Sequence, residues 1–129
     1  METSEIRNGA KRVGAELEER TLAFAVQVVG FTAAFHRSDA ASVIGRQLVR
    51  AGTAMGANYR EANRADSADD FAHKVAVALK EAAETEYWLL LCARTNIGES
   101  ASRSSLTGES GQLIAILATI LRRARAAHK

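Results

Sequence analysis

Proline is missing from this 129-residue chain, and the consequences shape the rest of its reading. Proline breaks helix interiors, so its absence leaves long helices without their usual interruptions. Aromatic residues make up only 5% of the chain, while alanine supplies much of the 47% apolar fraction. That balance favours closely packed helices over a β-sandwich. A single cysteine, Cys92, excludes an internal disulfide and fits a reducing, cytoplasmic setting. Net charge is only +2, too small a bias to require a nucleic-acid partner. Residues Met1 to Arg12 lack the apolar stretch of a secretory signal. The longest apolar-rich run, Thr21 to Phe35, contains Gln27 and Thr32 and is too short to span a bilayer core of roughly 30 Å. A soluble protein with no membrane partner is expected.

What is present is helical periodicity. Ile44, Leu48, Ala51, Met55, Asn58 and Ala62 recur at alternating spacings of four and three. Val75, Leu79, Ala82, Glu86, Leu89 and Ala93 do the same. Such spacing is the seam of a packed helix, here interrupted once in each case by a polar residue. Four helices are predicted. The first covers about Val13 to Phe35, after a polar N-terminal segment over 1–12. The second runs from near Asp39 or Ser42 to Arg64, capped by Ser38 or Asp39. The third begins after Ser67, which with Asp70 imitates a capping box, and ends near Asn96-Ile97-Gly98. Glu99 to Gly111, rich in Ser and Gly, reads as a flexible link. The fourth helix covers about Gln112 to Ala127 and ends in basic residues that suit its dipole. Short connections between long helices make neighbours antiparallel. The expected fold is all-α, one up-down-up-down four-helix bundle over 13–127.

Several helices carry more apolar surface than a monomer needs. Leu22 to Phe35 has few polar positions, and Tyr87 to Ala93 is uninterrupted. Val77, Tyr87, Trp88 and Leu91 fall outside the predicted seam and are assigned to an oligomer interface anchored by Trp88. The alternative is that Trp88 packs under the flexible link or a helix end.

Two segments carry a family resemblance. One is Gln47-Leu48-Val49-Arg50-Ala51-Gly52-Thr53-Ala54-Met55-Gly56-Ala57-Asn58. The other is Ser67-Ala68-Asp69-Asp70-Phe71-Ala72-His73-Lys74, followed by Ala78-Leu79-Lys80-Glu81-Ala82-Ala83-Glu84-Thr85-Glu86-Tyr87-Trp88-Leu89. Together they resemble the small four-helix proteins encoded in ribosomal-RNA intervening sequences, a family that includes accessory proteins of diversity-generating retroelements. The resemblance implies an up-down four-helix subunit assembled into a homopentameric ring. In the retroelement branch it also implies a strongly basic surface that meets nucleic acid; this chain differs from that branch in its small net charge.

Three constellations bear on chemistry. Arg46, Arg50, Arg60 and Arg64 fall within about 40° of one line on the second helix, roughly 27 Å long. Opposite the seam, that line is a candidate surface for RNA or DNA phosphates. Its competitor is a solvated face, or one paired with a helix carrying Glu81 and Glu84. Asn58, Glu61, Glu84 and Glu86 are expected to form a buried polar network that sets helix register, in preference to a pocket of general acids and bases. Asp69, Asp70 and His73 lie one turn apart, but a di-iron bundle would need two Glu-x-x-His motifs. No metal and no cofactor are expected. Gly52 and Gly56, four apart, are read as sites of close helix approach. The functional expectation is a non-enzymatic oligomeric scaffold or binding protein. The alternatives are a purely protein-interacting ring and, last, a small enzyme using buried carboxylates.

Overall fold

The computed structural model describes residues 2–128, with side-chain surroundings from residue 12 to residue 127. Four helices follow one another: α1 Glu2–Ala33, α2 Asp39–Ala62, α3 Ala68–Thr95 and α4 Ser100–His128. The described residues contain no strand. Each helix packs antiparallel on the next. Glu18 meets Arg64 at one end of the α1–α2 pair and Phe35 meets Gly45 at the other. In the α2–α3 pair Arg50 reaches Glu84, while Glu61 reaches Lys74. The α1–α4 edge is the sparsest contact of the bundle.

The ends are made by local chemistry. Ser38, in extended backbone, accepts the Ala41 amide at 3.0 Å and starts α2. Ser67 does the same for Asp70 at α3. Asp70 does not complete the box; its carboxylate lies 3.8 Å from Lys74, one turn on. Asn96 ends α3 in the left-handed region at φ 54°. Gly98 follows at φ 85°, where a Cβ would lie 2.3 Å from the Phe31 ring, so the turn into α4 admits only glycine.

Two segment boundaries differ from expectation. Residues 2–12 are helical, not a separate polar segment. Nothing between them breaks a helix, since they hold one glycine and no proline. Residues 100–111 are the first turns of α4, not a flexible link. The Glu99 carboxylate accepts the amides of Ala101 and Ser102 at 3.1 and 2.7 Å, a capping role taken by Glu in place of the usual short side chain. Arg103 donates to the carbonyls of Ile97 and Gly98. Leu106 and Ser110 then continue inward the stripe of Leu113, Leu117 and Leu121. Burial on that stripe overrides the poor helix propensity of the Ser and Gly residues.

The core lies along Phe24, Val28, Leu48, Met55, Val75, Leu89, Leu113 and Leu117, all within 1% of full burial. On α2 the predicted seam holds through Ile44, Leu48, Ala51, Met55 and Ala62, but Tyr59 takes the inward place expected of Asn58. On α3 the buried line is Val75, Ala78, Ala82, Thr85, Leu89 and Cys92. Leu79 and Glu86 are only half-buried and Ala93 is exposed. The alternations three-four and four-three share Val75, Ala82 and Leu89. Helix α3 turns the small side chains Ala78, Thr85 and Cys92 inward because it is packed on both sides, by α2 and α4. Gly52 and Gly56 do bring α1 close: a Cβ would lie 3.1 Å from Val28 at the first and 2.9 Å from the Thr21 hydroxyl at the second.

Candidate functional site

The arginine line of α2 forms, but three of its four members are committed to neighbouring helices. Arg50 donates to Glu81 at 2.9 Å and also pairs with Glu84. Arg60 and Arg64 both approach Glu18 of α1, each at 3.4 Å. Arg46 donates only to the Ser42 hydroxyl of its own helix, at 2.9 Å. The face is therefore largely neutralised within the chain, by carboxylates from α1 and α3. Glu18 is lowered from the ordinary carboxylate value, mainly because the Asn63 amide donates to it and then because of the two arginines. Glu84 is lowered too, first by the Trp88 indole N–H at 3.1 Å and then by Arg50.

The polar set predicted as one network does not come together within the chain. Asn58 is half-buried and donates to the Ala54 carbonyl of its own helix at 2.8 Å. Glu61 is exposed and lies 4.0 Å from Lys74. Glu84 belongs to the Arg50–Trp88 cluster. Glu86 is half-buried and makes no side-chain hydrogen bond or ion pair among the described residues. The inward polar residues are instead Glu81, Thr85, Thr21 and Ser110. The three hydroxyls satisfy themselves on carbonyls one turn back, as helical Ser and Thr commonly do. Thr85 takes the inward place expected of Glu86 because the α3 register lies one position from the predicted one, while Glu81 pairs with the arginine line of α2.

The residues assigned to an oligomer interface line the outer side of α3 unevenly. Val77 and Leu91 are half-buried and Tyr87 is exposed. Trp88 is half-buried: its ring packs against the chain's own core, with Tyr87 meeting it edge-on at a centroid distance of 5.1 Å. A more open apolar surface lies elsewhere. Leu22, Val26 and Val29 on α1 are 48%, 64% and 47% exposed, and their spacing of four and three puts them on one line. No charged residue occurs from Thr21 to Phe35. The signal was legible as a helix apolar nearly all round; which side faces solvent was not.

A second cationic group lies in the last turns of α4, where the helix dipole accounts for its sign. Arg122, Arg123 and Arg125 near the end of α4 are exposed, and none has a hydrogen bond or ion pair among the described residues. Asp69, Asp70 and His73 sit at the start of α3, and the described residues hold no cluster of three or more side chains able to bind a metal. Cys92 is fully buried, and burial pushes its thiol upward. Among the described residues no helix is long and apolar enough to cross a membrane.

Comparison with known proteins follows the helix pattern. A profile described as "23S rRNA-intervening sequence protein" matches residues 15–119. A crystal structure of a protein of unknown function from the S23 ribosomal protein family of Bacteroides thetaiotaomicron is 38% identical. It covers 81% of this chain and 96% of its own, with a TM-score of 0.74. No curated protein matches the chain.

Proposed function

The chain belongs to the 23S rRNA-intervening sequence protein family, and from that premise we propose that it is a non-enzymatic, self-associating four-helix scaffold. The observation that carries this reading is the uncharged outer line of α1. About half of each of Leu22, Val26 and Val29 is still in water, so a partner that covered them would gain roughly 1 kcal/mol for each. The chain supplies a second apolar surface on α3, where Tyr87 and Leu90 are exposed. Two such faces on different helices suit a subunit that meets copies of itself. The family resemblance makes five the expected number, arranged in a ring. Light scattering on the purified chain should give the mass of an oligomer. Val26→Glu, at a site that contributes little to the subunit's own core, should reduce that mass while the helical signal stays unchanged. A stable monomer for the unmodified chain overturns the reading.

Contact with RNA or DNA is a second reading, and one observation favours it. The unpaired Arg122, Arg123 and Arg125 project from a stretch of α4 whose last acid is Glu109. Repeated in an assembly, they would offer several phosphate contacts whose affinity falls with salt through counterion release. Replacing all three by Gln should flatten the salt dependence of binding to a mixed-sequence RNA or DNA more than replacing Arg50, Arg60 and Arg64. Equal effects of the two triple variants, or no binding at low salt, removes this reading.

A further inference from the structure

We infer that the corner between α1 and α2 is a binding site for a small amphipathic anion, a carboxylate on an apolar body. The groove there has a volume of about 960 Å³, within the range of small-molecule sites. Its floor is apolar. Phe35 and Val49 line it while packing against the core on their other sides. Phe31 meets the Phe35 ring edge-on at 5.0 Å and 85°, which fixes that wall. Gly45 puts bare helix backbone at the bottom, where a Cβ would lie 3.6 Å from the Phe35 ring.

The rim is cationic. Arg37, Arg46 and Arg50 line the groove against one carboxylate, Asp39. Arg50 is held by Glu81 and Glu84 and contributes little free charge. Arg37 has no hydrogen bond or ion pair among the described residues, and Arg46 has only the Ser42 hydroxyl. Two guanidinium groups thus stand free above an apolar floor. A guanidinium binds a carboxylate through two parallel hydrogen bonds, and Arg46 gives only one nitrogen to Ser42, which leaves its other N–H groups free for such a pair. The apolar floor distinguishes this place from the α4 arginines. A phosphodiester backbone has no use for Phe35 and Val49, whereas an alkyl or aryl carboxylate covers them as its head group meets the rim. The inference does not depend on self-association, because the lining comes from one chain.

The test is titration calorimetry of the full chain, in whatever assembly it forms, with decanoate, decylammonium and decanol, all below their aggregation concentrations. Decanoate should bind saturably, one per chain, and decylammonium about ten-fold more weakly or worse. Arg37→Gln with Arg46→Gln should weaken decanoate by about ten-fold and leave decanol unchanged. Val49→Ser should weaken both. The pair Arg122→Gln and Arg123→Gln, equally exposed but distant in the sequence from the groove, should bind decanoate as the parent does. The proposal fails if decanoate does not saturate, if decylammonium binds equally well, or if the α4 variant loses as much as the corner variant.

Discussion

Replacing Gly108 and Gly111 by alanine should raise the stability of this protein, and the reason lies in the segment that sequence composition assigns to a flexible link. Both glycines are inside α4, and a Cβ built at either meets no atom within 4 Å. Alanine therefore adds no clash. It removes the conformational freedom that glycine returns to the unfolded chain, which in a helix interior is worth roughly 0.5–1 kcal/mol per site. The two positions together should contribute about 1–2 kcal/mol. With an unfolding entropy of about 2.1 cal/mol/K per residue, a chain of this length should melt about 4–8 °C higher. The assay is thermal unfolding followed by circular dichroism at one protein concentration, so that self-association is held constant. In a flexible link the same change would constrain folded and unfolded states alike and shift the midpoint by almost nothing. An unchanged or lower midpoint refutes the helical assignment of 100–111. Gly98→Ala is the internal contrast. There φ is 85° and the Phe31 ring occupies the space of the new Cβ, so the midpoint should fall.

Two further outcomes follow from the polar contacts. Glu18, Glu84, Glu99 and Glu109 are all lowered from an ordinary 4.5, so below that value the unfolded chain takes up protons that the folded chain resists. Their stabilisation is complete above about pH 5 and disappears as pH drops through the depressed values. The urea midpoint should decline as pH falls from about 5 to about 3, and Glu109→Gln, which breaks the bidentate contact with Arg20, should make the decline shallower. A parent midpoint that does not move over that interval contradicts the ion-pair assignment. Asn58→Ala should change stability by less than about 1 kcal/mol, because the lost bond to the Ala54 carbonyl is offset by the better helix propensity of alanine. A loss above about 2 kcal/mol would mean that the amide has a partner outside its own helix.

Periodicity and the absence of proline were enough to give four helices in an up-down bundle, the caps at Ser38 and Ser67, and the close approach at Gly52 and Gly56. These features depend on residues near one another in sequence, or on the chemistry of one side chain. Leu106 could have extended α4 as well, since it stands seven residues before Leu113 on the same face; the Ser and Gly residues between them obscured it. Which arc of α3 turns inward was not legible. Val75, Ala82 and Leu89 fit two registers, and the choice rests on how α2 and α4 flank the helix. The fate of the arginines was equally hidden. Glu18 stands 42 and 46 positions before Arg60 and Arg64, and Glu81 and Glu84 lie 31 and 34 after Arg50. Only the antiparallel stacking of three helices brings those charges into contact, and that same stacking leaves Arg37, Arg46 and the α4 arginines without carboxylate partners among the described residues. A local pattern can say that a helix has a charged face; whether that face is free is decided by what packs beside it.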